Sequence, residues 1–168
     1  MTVSDYSGWG GWFRRAGMRN VMLDTHQYLI AMEDPLFSGP ARRLYLRSRR
    51  LPWLYRMLVG ASGIAIRSAA RRIPVLVGEW CVENQWALHS QNRSAAYRQV
   101  SRLQRAAWDV SAGQIYWSYQ LARSAKPGSG EGKPPRDPRN GGNLEAWDLT
   151  RVWRHGWIRA DTSHDDMP

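Results

Sequence analysis

The chain has 168 residues, the length of one domain, and its hydrophobic fraction of 43% is enough for a core. Lysine and arginine outnumber aspartate and glutamate by 24 to 14, which gives a formal charge of +10 and suits nucleic acid or an acidic surface. The single cysteine excludes an internal disulfide. No apolar run reaches the roughly 20 residues that a membrane span needs, and the start carries no secretory signal. We therefore expect no membrane partner and leave the localisation open.

The first part of the chain predicts a loop and a strand. Residues 1–19 are rich in glycine and tryptophan and predict a loop that leads into a short helical turn at 12–16. A strand follows over Asn20–Asp24 and runs directly into His26 and Tyr28. Because residues two apart on an extended chain point the same way, these two side chains are expected on one side. The alternative is a structural role, with a histidine whose hydrogen bonds are satisfied and a half-buried tyrosine near a strand end.

The segment from residue 40 to residue 72 is basic and helical in character, after a turn at 34–39. Helical spacing of apolar residues predicts a helix over 40–58 that Pro52 breaks, and a second helix over 62–71. The arginines of this segment predict a solvated helix face. No helix-turn-helix, RNA-recognition or zinc pattern accompanies them, so we expect no nucleic-acid partner. The histidines and the cysteine have unrelated spacings, which predict no metal site, and we expect no cofactor.

The most informative stretch is a short strand that ends in an acid. The aliphatic run Val75–Val77 lies between a proline and a glycine and predicts a buried parallel strand. It is followed by Glu79 and Trp80, and then by a loop at 84–87 that contains Trp86. In an α/β barrel, chemistry occurs where strands end at the carboxyl face. A carboxylate beside a ring that can pack on a sugar suggests glycoside hydrolysis, and a solvated strand-end acid is the alternative.

The next part of the chain predicts a βαβ unit. A helix over 92–112 carries an apolar stripe, is capped at its start by Asn92 or Ser90, and ends at Gly113. The aromatic strand 114–119 follows almost without a loop, which completes the unit that began with the preceding strand.

The sequence of the last part of the chain predicts a long loop, a last helix and a tail. Residues 124–143 are rich in proline, glycine and serine and predict an excursion with no core of its own. An amphipathic pattern over 147–157 predicts a final helix or turn, and 160–168 form a polar tail. The chain as a whole therefore predicts three consecutive βα units, each with notable side chains where its strand ends.

These strand ends together resemble the last three units of the (β/α)8 barrel of glycoside hydrolase family 5, and within it the exo-β-1,3-glucanases. The matching stretches are Leu23–Tyr28, Val77–Trp80, Ile115–Tyr119 and Trp147–Thr150, with Gly156 and Trp157 near the end and Gly11–Phe13 before the first strand. The resemblance implies an α/β fold in which residues 1–158 form a partial TIM barrel, made of strands six to eight, and residues 159–168 a tail.

Carried over residue by residue, the resemblance makes Glu79 the catalytic nucleophile of a retaining hydrolase that acts on β-glucan. His26 and Tyr28 match the family's His-x-Tyr pair, in which the tyrosine hydroxyl bonds the nucleophile and helps to keep it ionised. Trp117 matches the tryptophan that forms the floor of the −1 sugar site. The side chains expected to stack on the substrate are Trp117, Trp80 and Trp86.

The sequence departs from the family in one respect that matters for chemistry. A full barrel has eight βα units and about 250 residues, and a retaining glycosidase needs a second carboxylate about 5–5.5 Å from the first. The family's acid/base glutamate lies on a strand that has no counterpart here. Glu83 and Asp24 are the nearest substitutes, and Glu83 is expected to be a solvated surface acid. The resemblance thus implies the carboxyl-terminal part of such an enzyme, with a missing N-terminal half-barrel as a partner.

Two other functions stay open from the sequence. A carbohydrate-binding remnant could stack sugars on its tryptophans without hydrolysing them, and the missing acid/base favours this interpretation for the isolated chain. A basic nucleic-acid or interaction protein is the other, and it rests on the arginine-rich segment alone.

Overall fold

The computed structural model describes residues 7–33, 51–121 and 144–159. The elements in chain order are α1 (Ser7–Arg15), β1 (Leu23–Gln27), α2 (Leu29–Glu33), α3 (Leu51–Ala70), β2 (Val75–Trp80), α4 (Gln85–His89), α5 (Arg93–Trp108), β3 (Gly113–Tyr116), a 3-10 turn (Leu144–Trp147) and α6 (Leu149–Arg154). The three strands form one parallel sheet in the order β1-β2-β3. The predicted mixed α/β class and the βαβ unit are therefore confirmed. In the described part of the chain, no helix is long and apolar enough to cross a membrane.

Helices α3 and α5 cover one face of the sheet. The core there joins residues from both helices to the aliphatic side chains of β2, with Trp108 fully buried among them. Buried polar groups also connect these layers: the Trp108 indole donates to the Ser62 hydroxyl, which donates in turn to Gln27 of β1. Along β1, Thr25 and Gln27 are buried on this side, and the residues that alternate with them are exposed. The opposite face of β1 is thus left open to solvent.

A bulge in β2 decides which of its side chains reach the core. The pairing of β1 with β2 skips Gly78, so that Glu79 lies opposite His26. With strict alternation Val77 and Glu79 would share a face, because side chains repeat every two residues. The additional residue shifts this pattern by one position. Trp80 therefore joins Val77 on the buried face, and Glu79 leaves it.

Several predicted boundaries are wrong, each for a local reason. The strand placed at Asn20–Asp24 lies instead at 23–27, because a loop with exposed residues precedes it. The second helix predicted over 62–71 is not separate, because α3 runs unbroken from Leu51 to Ala70. Pro52 lies in the first turn of α3, where a missing N–H costs little, and the stretch before Leu51 that it was expected to separate lies outside the described residues. The loop expected at 84–87 is the capped helix α4, in which the Asn84 side chain accepts from the N–H of Ala87 at 2.7 Å.

The predicted start of α5 is confirmed and its predicted end is wrong. Asn92 caps the helix by accepting from the N–H of Ala95 at 3.0 Å. The helix ends at Trp108 with Asp109 as its C-cap, and Gly113 belongs to β3, where its lack of a side chain suits the close approach of Leu76.

Helix α6 begins at a buried acid. Asp148 accepts hydrogen bonds from the N–H groups of Leu121 and Arg151 and from the hydroxyl of Thr150, at 2.6–3.1 Å. Burial raises the pKa of this carboxyl, but the hydrogen bonds and the nearby Arg151 guanidinium outweigh that effect and lower it. The turn and helix predicted over 34–50, the excursion at 124–143 and the tail at 160–168 lie outside the described residues.

Candidate active site

The site is built around the Glu79 carboxylate at the carboxyl end of β2. The Tyr28 hydroxyl donates to Glu79 Oε2 over 2.7 Å, and the Nδ1 atom of His26 lies 3.1 Å from the same oxygen. The Glu79 side chain is 26% exposed, so it remains open to a ligand. His26 near the end of β1 and Tyr28 just after it are therefore brought together with Glu79 near the end of β2.

His26 connects Glu79 to a second carboxylate. Its Nε2 atom lies 3.5 Å from Asp24 Oδ2, so the imidazole stands between two acids. Asp24 and His26 are two apart on β1 and share its open face. The Asp24 carboxylate also occupies the space beside Gly78, where a Cβ atom would lie 2.0 Å from Oδ1. The glycine of the bulge is thus needed for this arrangement.

Tyr28 is fixed by its ring as well as by its hydroxyl. The ring stacks on Trp147, with centroids 5.2 Å apart and planes inclined by 26°. Burial, and then the hydrogen bond to Glu79 and its charge, raise the pKa of Tyr28 above its ordinary value. The hydroxyl therefore keeps its proton through the range in which ordinary tyrosines titrate, and it acts toward Glu79 as a donor.

Trp117 lies at the same end of the sheet. The backbone N–H of Trp117 donates to the backbone carbonyl of Trp80 over 2.8 Å, and the Trp117 side chain is 49% exposed. The next peptide bond, to Ser118, is cis, and the N–H of Ser118 donates to the carbonyl of Trp147. The segment after β3 is thus joined to the turn that carries the ring stacked on Tyr28. The exposed Trp117 ring is available for stacking.

Trp80 and Trp86 do not have the positions expected of substrate-binding side chains. Trp80 is 5% exposed and packs edge to face against Trp108 and Tyr116, because the bulge returns it to the core. Trp86 packs against buried core residues, with its ring centroid 5.5 Å from that of the buried Tyr55. Neither belongs to the group around Glu79, and we leave both out of the proposed site.

The expectation that Glu83 is a solvated surface acid is wrong. Its side chain is 1% exposed and accepts a hydrogen bond from the Tyr97 hydroxyl at 3.1 Å. The chain turns inward after β2, so that Cys81, two residues before Glu83, is buried as well. Burial raises the pKa of the Cys81 thiol. A carboxylate held in the core in this way cannot protonate a leaving group at the Glu79 site.

Two contacts of the site were not assigned from the sequence. The Asp24–His26 contact could have been found, because residues two apart on a strand share a face. The stacking of Tyr28 on Trp147 joins segments that are distant in the chain, and no local pattern indicates it. Among the described residues, no three or more potential ligands are grouped so as to hold a metal ion.

Neither protein-family models nor curated proteins yield a match to this chain when compared with it.

Proposed function

We propose that this chain contributes the nucleophile half of a retaining glycoside hydrolase that acts on β-glucan, with the three parallel strands as the last three of a (β/α)8 barrel. The observation that carries the proposal is the 2.7 Å hydrogen bond from the Tyr28 hydroxyl to Glu79. It fixes a partly exposed carboxylate at the carboxyl end of a parallel sheet, where enzymes of this architecture carry their chemistry. The half-exposed Trp117 at the same end supplies a surface on which a sugar ring can stack.

In this mechanism Glu79 attacks the anomeric carbon of the substrate. A bond forms between the carboxylate oxygen and that carbon as the bond to the leaving oxygen breaks, and water later releases the sugar with retained configuration. Tyr28 and His26 hold the attacking carboxylate in one orientation through their contacts with Oε2. Holding a reacting group in place before the reaction is a large part of what an enzyme supplies.

The leaving oxygen also needs a proton, and the described residues offer one exposed acid near Glu79. That acid is Asp24, which contacts His26 and fills the space beside Gly78, and we assign it to holding the imidazole and not to protonating the leaving oxygen. Glu83 is excluded as the proton donor because it is buried. We therefore propose that an efficient acid/base comes from a partner half-barrel, and that this chain alone hydrolyses unactivated glucan poorly.

A second function is favoured by the burial of Glu83. Without a proton donor, an exposed Trp117 beside a polar cluster would bind a carbohydrate and leave it intact. The two functions differ in whether Glu79 can form a covalent bond to a sugar.

An activated glycoside separates these functions. A dinitrophenyl 2-deoxy-2-fluoro-β-glucoside loses its leaving group without a proton, and the fluorine slows the release of the sugar from the enzyme. We expect whole-protein mass spectrometry to show one added fluoroglucosyl group, and Glu79→Gln to abolish it. The matched control is Glu145→Gln, since the Glu145 side chain is also 26% exposed and has a histidine nitrogen at 3.4 Å.

Labelling that survives Glu79→Gln, or is lost equally with Glu145→Gln, contradicts the assignment of the nucleophile. A folded chain that binds glucan but is never labelled supports the carbohydrate-binding function instead. Circular dichroism of each variant establishes that it is folded.

A further inference from the structure

Helix α1 and the loop after it present rings and positive charges to solvent. We call this the aromatic-basic surface, and it consists of Trp9, Trp12, Phe13, Arg14, Arg15, Met18, Arg19 and Met22. The Trp9 and Trp12 side chains are 48% and 47% exposed, and Met18 and Met22 are also exposed. Such a cluster of large apolar side chains on one short segment is typical of an interaction surface.

The three rings pack on one another rather than lying side by side. Trp12 meets both Trp9 and Phe13 edge to face, with centroids 6.0 and 5.0 Å apart. Trp9 and Phe13 are also in contact, with centroids 6.0 Å apart and planes inclined by 33°. The three rings therefore form one apolar projection, and this shape suits insertion into an apolar medium.

The charge of the segment is of one sign. The residues from 7 to 22 include three arginines and no aspartate or glutamate. On a helical projection Arg14 lies across α1 from Trp9 and Trp12, and Arg15, three residues after Trp12, lies at the border of the aromatic side. A short helix with aromatic residues on one side and arginines at its border and beyond it is the pattern of a helix that lies in the headgroup region of an anionic bilayer.

From this combination we propose that the aromatic-basic surface binds an anionic phospholipid bilayer, with α1 lying in the plane of the interface. The tryptophans enter the headgroup region and the arginines pair with lipid phosphates, each adding electrostatic attraction. A second copy of the chain is a poorer occupant, because its arginines would face these arginines. The chain would bind as a peripheral protein, which departs from the expectation that it has no membrane partner, because that expectation rested on the lack of a spanning run alone.

The position of this surface fits such a role. Gly10 packs directly on Arg72, where a Cβ atom would lie 2.8 Å from the Arg72 Cβ atom. Arg72 lies shortly before β2, which begins at Val75. The loop from α1 enters β1 at Leu23, whose N–H donates to the carbonyl of Pro74. The surface thus lies near the amino end of the sheet, and Glu79 lies at the carboxyl end. Binding to a bilayer through α1 would leave the Glu79 site facing the aqueous phase.

Vesicle sedimentation tests the proposal without any measurement of hydrolysis. The full chain is mixed with vesicles of phosphatidylcholine and phosphatidylglycerol in equal parts, and separately with phosphatidylcholine alone. We expect binding to the mixed vesicles that weakens in high salt. Trp9→Ala with Trp12→Ala should weaken it about tenfold or more, and Arg14→Gln with Arg15→Gln by about 25-fold, since each basic residue near the surface contributes about fivefold.

Matched controls lie elsewhere on the surface. Trp153→Ala removes a tryptophan that is 46% exposed on α6, and Arg56→Gln with Arg67→Gln removes two exposed arginines of α3. Both should leave vesicle binding within about twofold. The arginine variants alter only exposed side chains, so they keep the test decisive if the tryptophan variant unfolds.

Three outcomes of the vesicle experiment overturn the proposal, and a competition experiment can supply a fourth. The three are the absence of binding to the mixed vesicles, equal binding to both kinds of vesicle, and binding that responds to the control variants as much as to the α1 variants. A short duplex DNA that binds the chain through the same tryptophans and displaces it fully from vesicles would assign this surface to nucleic acid and would also overturn it.

Discussion

Replacement of Tyr28 by phenylalanine tests whether the hydrogen bond to Glu79 serves the proposed reaction. The substitution removes the hydroxyl that donates to Glu79 over 2.7 Å and keeps the ring that stacks on Trp147. A hydrogen bond to a charged group contributes about 1.5–3 kcal/mol. Because the Glu79 side chain is 26% exposed, water can replace part of this bond, and we take the lower figure. A loss of about 1.5 kcal/mol corresponds to a rate of glycosyl-enzyme formation roughly tenfold lower.

Release of dinitrophenolate from the fluoroglucoside in a single turnover measures that rate. The matched control is Tyr97→Phe, because the Tyr97 hydroxyl also donates to a glutamate, Glu83, but does so inside the core. This control should lower stability and leave the rate per folded molecule unchanged. If Tyr28→Phe reacts as fast as the unsubstituted chain, or if both variants slow equally, the bond to Glu79 has no special part in the reaction.

Three further predictions concern the sheet, helix α6 and turnover. Gly78→Ala should lower the free energy of unfolding in urea by about 1–3 kcal/mol, because the new Cβ atom displaces the Asp24 carboxylate. Most of this loss should vanish in an Asp24→Ala background. The control Gly60→Ala, with open space around its Cβ atom, should instead raise the free energy of unfolding by about 0.5–1 kcal/mol. Asp148 has a lowered pKa in the fold, so the stability it adds is present above the ordinary pKa of an aspartate and is lost as the pH falls towards the lowered value. Asp148→Ala should cost about 1–2 kcal/mol at neutral pH and make unfolding less dependent on acid, and an unchanged acid dependence would contradict this. Unactivated β-glucan should be hydrolysed about 10²–10⁴-fold more slowly than an enzyme with a general acid achieves, and rapid release of glucose by the purified chain would show that an acid/base lies within it.

The arrangement of the site was largely predictable from periodicity and from the order of strands. His26 and Tyr28 are two apart at the end of one strand, and Glu79 ends the next strand. Parallel neighbours bring their carboxyl ends to the same edge of a sheet, so these side chains meet. The predicted helix start at Asn92 relied on capping chemistry, which is also local, and it is confirmed.

The errors concern features that depend on contacts between distant residues. Trp80 was expected beside the substrate because it follows Glu79, but the bulge at Gly78 is defined by pairing with β1 and turns the ring into the core. Glu83 was expected in solvent, but its hydrogen-bond partner Tyr97 lies 14 residues later, on α5. Alternation and charge alone contain no information on either contact.

Mapping of the fluoroglucosyl label to one side chain is the most direct test of the central claim. Trypsin cuts after Arg72 and Arg93, and the peptide between them contains only two carboxylates, Glu79 and Glu83. Fragmentation of the labelled peptide separates these two acids. We predict that the added mass is on Glu79, whose carboxylate is partly exposed and held by Tyr28. A label on Glu83, or on a peptide from another part of the folded chain, would contradict the assignment of Glu79 as the nucleophile.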